Sequence, residues 1–387
     1  MIFFFVIFDG IIMYVSPIVM QKSGISLSMI GIIIGLSSVA GMAFDIILVR
    51  LLEKITFKKI FFYMFLTAFT VPFLLFGFNT ITMYFLAMAA WGLYYNLYDI
   101  GTLDFIGLTT STKNHTGSFG ILRVFQNLGY LIAPAFASFT LLIIGNSHIF
   151  PWWIYGLFLA AFICYIFLFF SKMPTRNIII AEHKTVLSIF TEIKTWSKIG
   201  KLLLPILFLT LAINLIDDAI WVIGPLFSES LKNTDKFGAA FMIAYTLPPL
   251  LVGWFVGRFA TRFGKKKIAL PAFLFGSLLL IGIGMTNSTT LLLVIIFCIS
   301  FCFAFVWPTI GAAYADDITD TSTYHESIET IDDLFTNVGD TVGPMLAGFS
   351  AQFLGIPHTF IVLGIFGTIT ALALFRYAPK NLVVPIP

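Results

Sequence analysis

Acidic side chains interrupt long apolar runs of this chain, and that setting limits the chemistry they can do. Asp9 stands midway along an apolar run over 1–20, Asp217 and Asp218 stand deep in one over 202–227, and Asp45, Asp99 and Asp340 interrupt others. A carboxyl group withdrawn from water is disfavoured in its charged form unless something compensates it. Such a group is suited to taking up and releasing a proton. Asp9 is the first choice for that role. Neighbours on a helix point in different directions, so only one of Asp217 and Asp218 need face inward. Asp45 and Asp340 are further candidates. Asp99 and Arg123 carry opposite charge at similar depth and are expected to form a buried ion pair. Breaking such a pair strands a charge, so a pair that must open would act as a gate. For each acid the alternative is a hydrogen-bonded group with a purely structural role.

A second set of side chains could bind a solute. Tyr14, Trp91, Tyr94, Tyr95 and Trp307 offer aromatic faces, and Asn96, Gln126, Asn127, Asn214 and Asn337 offer amides. Aromatic walls with a few polar groups suit a neutral or lipophilic small molecule. The competing reading is helix packing or anchoring at a membrane interface. No metal-ligand spacing, phosphate loop, nucleophile motif or nucleotide fingerprint stands out. No cofactor, metal or nucleic-acid partner is therefore expected, and no catalytic cluster argues for an enzyme.

The elements that position these groups follow from composition. Of 387 residues, 59% are hydrophobic and 11% charged, against about 25% charged in soluble domains. Too little polar surface remains to cover a water-soluble fold of this size. Runs of roughly 20 apolar residues read as transmembrane helices. Twelve are expected, over 1–20, 27–51, 60–78, 81–105, 118–144, 150–171, 202–227, 237–257, 267–285, 290–313, 330–354 and 358–377. The run at Met1 is too long for a signal-peptide core and reads as the first span. Residues 1–171 and 201–387 are expected to form two six-helix bundles, joined by a linker over 172–200. Within the linker, Val186, Ile189, Phe190, Ile193 and Trp196 recur at helical spacing, as in an amphipathic helix on the membrane surface. Alternate connections and the C-terminal tail hold 18 of the 22 Lys and Arg residues, which places both termini and the linker in the cytoplasm. Cys164, Cys298 and Cys302 all lie in apolar runs, so no disulfide is expected.

The two halves repeat each other. Asp9 precedes Pro17 by eight residues, and Asp217 precedes Pro225 by eight, 208 residues later. Lys54 to Lys59 and Arg262 to Lys267 are basic runs at the same offset of 208. Asn127-Leu128-Gly129 with Pro134 matches Asn337-Val338-Gly339 with Pro344 at an offset of 210. Duplicated halves with a solute site at midplane are a transporter design.

At these residues the chain resembles the major facilitator superfamily over essentially its whole length. The family's loop after the second span is patterned Gly-x-Leu-Ala-Asp-Arg-x-Gly-Arg-Arg. Its counterpart here is Gly257 to Lys266, with Gly257, Arg262, Gly264 and Lys265 matching and Thr261 in the acid's place. The first-half copy keeps Glu53 and Lys54 but loses both glycines. The resemblance implies that these residues form cytoplasmic latches. A second family pattern, Gly-x8-Gly-x3-Gly-Pro-x2-Gly-Gly, is associated with antiporters. It reads here as Gly120, Gly129, Ala133, Pro134, Ala137 and Ser138, and Gly339, Gly343 and Pro344 repeat part of it. Small residues at such spacing let helices pack closely. The family's Arg in the fourth span is replaced by Met88. The resemblance implies an all-α fold of two pseudo-symmetric six-helix bundles and a monomer in the cell membrane. It also implies secondary transport by alternating access, most like the drug/proton antiporter branch. Proton-coupled export of small lipophilic compounds is then the expected function. Uptake of a sugar-like or other neutral nutrient is the first alternative, and a sensor that binds without transporting is the second.

Overall fold

Inside a bilayer no water is available to a free backbone amide, so an apolar chain crosses only with its hydrogen bonds closed internally. Helices are the solution here. The computed structural model describes residues 1–51, 55–110, 115–147, 151–173, 186–252, 264–320 and 325–377. In chain order the helices are α1 (Ile2–Lys22), α2 (Leu27–Leu51), α3 (Phe57–Gly77), α4 (Ile81–Thr109), α5 (His115–Ser147), α6 (Ile154–Phe170), α7 (Val186–Lys232), α8 (Phe241–Val252), α9 (Lys265–Ile283), α10 (Thr289–Asp320), α11 (His325–Leu354) and α12 (Ile356–Tyr377). A short 3₁₀ turn, Lys236–Ala240, leads into α8. Gly355, at φ 86°, makes the sharp turn between α11 and α12 that a residue with a Cβ would resist.

Among the described residues, eight helices are long and apolar enough to span a membrane, and α6 and α8 are shorter apolar helices. The two that fall short are α4 and α11. They carry the densest polar load, Tyr94, Tyr95, Asn96, Tyr98 and Asp99 on one, and Asp332, Asp333, Asn337 and Asp340 on the other. The chain is a polytopic helical membrane protein. α7 is one unbroken helix of 47 residues, so the amphipathic segment predicted in the linker runs straight into the seventh span. At 1.5 Å per residue it is about 70 Å long, more than twice the roughly 30 Å hydrocarbon thickness.

The chain divides into two compact units, Met1–His183 and Lys184–Pro387. In the first, α1 packs on α5 and α6, α3 on α4 and α6, and α2 on α4. In the second, α7 packs on α11 and α12, α9 on α10 and α12, and α8 on α10. Adding six to each helix number converts one pattern into the other, so the repeat read from Asp, Pro and Gly spacing is also a repeat of packing. In each unit the first helix is the most enclosed. Phe8, Ile11, Ile12 and Val15 of α1 are fully buried, as are Ile213, Ile216, Ala219 and Ile220 of α7.

Glycine sets how closely these helices approach. A Cβ on Gly129 of α5 would lie 2.9 Å from Val6, and one on Gly10 of α1 would lie 2.6 Å from the Ala133 Cβ. In the second unit, a Cβ on Gly339 would meet Leu211 O at 2.9 Å, and one on Gly343 would collide with Leu215 O. On α4, a Cβ at Gly92 would collide with Ser37 O. Pro134 and Pro344 are also buried. Gly120 differs, because nothing lies within 4 Å of a Cβ built there.

Outward faces are apolar. Phe62, Leu66, Phe69 and Phe73 form an exposed row along α3, and Ile365, Ile369 and Leu372 do so along α12. Lipid tails accept such rows, as water does not.

The glycine contacts give a direct test. Gly343→Val places carbon against a backbone carbonyl that cannot step aside, and overpacking of this kind costs about 1–3 kcal/mol or more. Its melting temperature in detergent should fall by several degrees. Gly120→Ala should melt at or slightly above the wild-type temperature, because helix propensity alone favours it by up to ~1 kcal/mol.

Candidate functional site

Asp9 is 2% exposed in the middle of α1. Its carboxylate accepts hydrogen bonds from Trp91 Nε1 at 2.8 Å and Tyr94 OH at 2.5 Å, both to Oδ1. Tyr130 OH donates to Oδ2 at 2.8 Å. Trp91 and Tyr94 are on α4 and Tyr130 is on α5, so one acid ties three helices together. Gly129 and Ala133 flank Tyr130 on α5, and their close approach to α1 brings the phenol within reach. The donors are all neutral groups. Burying a carboxylate is costly unless it is hydrogen-bonded, and bonds to a charged acceptor are about twice as strong as neutral ones.

Around this centre the aromatic packing is dense. Phe5 meets Tyr94 edge-on and stacks on Tyr98, both at 5.6 Å between ring centroids. Tyr98 OH accepts from Gln126 Nε2 at 2.9 Å, while Gln126 Oε1 is buried and has no hydrogen-bond partner. Trp91, Tyr95 and Tyr98 form a ladder along α4, with centroids 6.1 and 6.2 Å apart. Tyr95 is 37% exposed, so this ladder has an open side.

The predicted residues thus separate into groups. Asp9, Trp91 and Tyr94 come together, and Gln126 joins their rim through Tyr98. Tyr14 is buried further along α1. Asn96 faces α2, with its Nδ2 3.0 Å from a Cβ built on Gly41, and Asn127 is half-buried on α5. The buried ion pair expected of Asp99 and Arg123 needs correction, because both side chains are exposed. Asp99 continues the open stripe of α4 one turn beyond Tyr95, and Arg123 lies on the exposed side of α5 with Gly120. Both are within electrostatic reach of Tyr95 and Tyr98.

The second unit has its own acids. Asp217 accepts a hydrogen bond from Tyr245 OH of α8. Asp218 and Asp340 lie within electrostatic reach of Asp217 and of each other. Asp340 Oδ1 is buried with no hydrogen-bond partner. Asn214 is buried and donates to Thr210 O at 2.8 Å, Asn337 donates to Asp333 O at 2.8 Å, and Trp307 is 37% exposed. Among the described residues, no His, Cys, Asp and Glu side chains are grouped to hold a metal ion.

Of the predicted latch residues, Glu53, Lys54, Gly257 and Arg262 lie outside the described residues, as does the Asp45 side chain. Gly264, at φ 89°, starts α9, and Lys265 Nζ donates to Ala312 O on α10. In the first unit Lys58 Nζ donates to Phe169 O at 3.0 Å and Ser171 O at 2.6 Å, closing the end of α6.

Tyr130 and Tyr245 complete the two acid sites and are absent from the predicted set. Tyr130 directly follows the repeated Asn-Leu-Gly run and stands 210 residues before Asp340. That offset could have marked it. No comparable signal marks Tyr245.

Two like-wired six-helix units, each with an acid on its most enclosed helix, make up a polytopic membrane protein. The sequence profile of the Major Facilitator Superfamily matches residues 1–325, and the chain belongs to that family. The fold also resembles solved structures. A single-residue mutant of the nucleoside transporter NupG aligns with a TM-score of 0.75 at 13% identity, over 97% of this chain and 98% of that one. A bacterial homologue of the human lysosomal transporter Spinster, inward-facing and unoccupied, aligns at 0.70 and 13% identity, over 97% and 94%. No curated protein sequence matches. Family and fold make the chain a transporter and not an enzyme.

The Asp9 cluster predicts a stability effect. Tyr94→Phe removes one bond to a buried charged acceptor, worth about 1.5–3 kcal/mol. Thermal unfolding in detergent should show that loss, whereas Tyr63→Phe, on an exposed α3 position, should melt with the wild type.

Proposed function

We propose that this transporter is proton-coupled and that Asp9 is its proton-carrying group. The observation that carries this reading is the buried Asp9 carboxylate held by three neutral donors. Because these hydrogen-bond partners include no cation, its charge can change without stranding an opposite one. Asp217, with Asp218 and Asp340 near it, is the corresponding candidate in the second unit. Asp99 and Arg123, on the open sides of α4 and α5, are proposed as a pair that makes and breaks during transport.

The solute proposed is a small lipophilic organic compound. Tyr95 offers an exposed ring, and the Trp91 and Tyr94 donors are already engaged by Asp9. The unused group beside them is an acceptor, Gln126 Oε1. A flat solute bringing an N–H or O–H donor matches that pairing. Export is the proposed direction, supported by the small-residue spacing at Gly129, Ala133 and Pro134 on α5. Uptake is the second reading. Gln126 and Tyr95 would equally suit a nucleobase, and one similar fold is that of a nucleoside transporter. Alternating access, a monomeric state and cell-membrane placement with cytoplasmic termini complete the proposal.

The test is flux in proteoliposomes under an imposed pH gradient, screening planar aromatic solutes that include uridine. Solute should move against its gradient when protons move down theirs, and the sign of the flux sets the direction. Asp9→Asn should abolish gradient-driven accumulation by at least ~100-fold, given a site that must change charge, while equilibrative exchange persists. Undiminished proton-driven accumulation by Asp9→Asn would remove Asp9 from the mechanism.

A further inference from the structure

The donors to Asp9 divide by helix and by oxygen. α4 supplies two, Trp91 and Tyr94, and both meet Oδ1. α5 supplies Tyr130, which meets Oδ2 at 2.8 Å. The Tyr130 ring is held in place independently of that bond. A Cβ on Gly10, the residue after Asp9, would lie 3.1 Å from its Cδ1, and Gly129 brings the α5 backbone against Val6 and Ile7. The ring is therefore packed on α1 whatever the hydroxyl does.

The hydroxyl's task depends on the state of the acid. An ionised carboxylate accepts at both oxygens, whereas a protonated one carries a hydrogen on one of them and becomes a donor there. With two donors on Oδ1, the oxygen left for the proton is Oδ2. The Tyr130 hydroxyl then faces an oxygen that accepts more weakly, or a hydrogen where the proton takes the lone pair it was using. In the first case the Tyr130 bond loses the added strength of a charged acceptor, and in the second the hydroxyl reverses its role and accepts. The α4 donors keep their bonds through the change.

We propose that Tyr130 is the positioning residue through which the protonation state of Asp9 is transmitted to α5. The proposal rests on the reading of Asp9 as the proton site. The ionisable groups within electrostatic reach of Asp9 are Tyr94, Tyr95 and Tyr98 on α4 and Tyr130 on α5. Asp99 and Arg123 act on Tyr95 and Tyr98. α3 and α6 face α1 with Phe65 and Phe158, and the Asp45 side chain of α2 lies outside the described residues. Phenols stay neutral near neutral pH, so among the described residues Asp9 is the group in this cluster that titrates.

The experiment needs no solute. The three cysteines, Cys164, Cys298 and Cys302, are replaced by serine, and Phe139→Cys on the exposed side of α5 is labelled with bimane. In lipid nanodiscs, bimane emission is followed against pH beside the infrared carbonyl band that Asp9→Asn removes. The parent protein should show the label response and the Asp9 band titrating together. In Tyr130→Phe the Asp9 band should still titrate, at a displaced midpoint, while the label response falls to the level seen with Asp9→Asn. Tyr84→Phe, which removes a hydroxyl bonded to Ser23, should respond as the parent does. An unchanged label response in Tyr130→Phe overturns the proposal while Asp9 stands as the proton site. Absence of an Asp9 band that titrates overturns the underlying reading instead. Tyr130→Leu serves as a second hydroxyl-free variant, and failure of both to fold would make the hydroxyl structural and end the proposal.

Discussion

The close approach of the first and fifth helices in each unit is the contact on which the rest depends. It exists because Gly10 and Gly129 in one unit, and Gly339 and Gly343 in the other, leave no side chain at the points of closest approach. Between helices in lipid there is little hydrophobic gain from association, so contact area and buried hydrogen bonds must supply the attraction. Close approach supplies both. It also fixes which side chains can reach the acid on the inner helix. Residue 130 sits beside Gly129 and residue 340 beside Gly339, so whatever occupies those positions meets Asp9 or lies near Asp217.

The two units use that geometry differently. At the first, the neighbour is a phenol that donates to Asp9. At the second, it is a third carboxylate, Asp340, set near Asp217 and Asp218 with Tyr245 as the donor to Asp217. The wiring of helices is the same, while the balance of donors and acceptors is reversed. One site gives its acid three neutral donors, and the other has more acids than its phenol can serve. Like charges close together repel strongly where water is scarce. The duplication therefore preserved the frame and let the chemistry of the halves diverge.

Much of the frame was legible in the sequence. Apolar runs marked the helices, because a bilayer forces a match between length and hydrophobicity. Asp9 and Asp217 with their prolines, and the glycine runs, marked the repeat. Depth along a helix was legible too, but the direction of a side chain was not. Asp99 and Arg123 fall on open stripes of α4 and α5. Continuity of α7 through Val186 was hidden for a related reason, since hydropathy reports where lipid begins and not where a helix does. Tyr245 was hidden because a tyrosine in an apolar run looks the same whether its ring packs or its hydroxyl bonds, and only the offset to Asp340 pointed to Tyr130.

The choice of neutral donors around Asp9 has its own logic. An ion pair would hold the carboxylate as firmly, but protonating its acid would leave a buried cation without a partner, at a cost of several kcal/mol. Indole and phenol groups carry no charge to strand. When the acid is neutralised, each donor loses only the added strength of a charged acceptor, and a hydroxyl can reverse its role from donor to acceptor. An indole N–H cannot reverse, and Trp91 shares Oδ1 with Tyr94. The reversible partner, Tyr130, stands alone on the other oxygen, on the helix that glycine has brought closest to α1. A proton arriving at Oδ2 therefore acts on the strength or direction of one bond, and that bond joins two different helices.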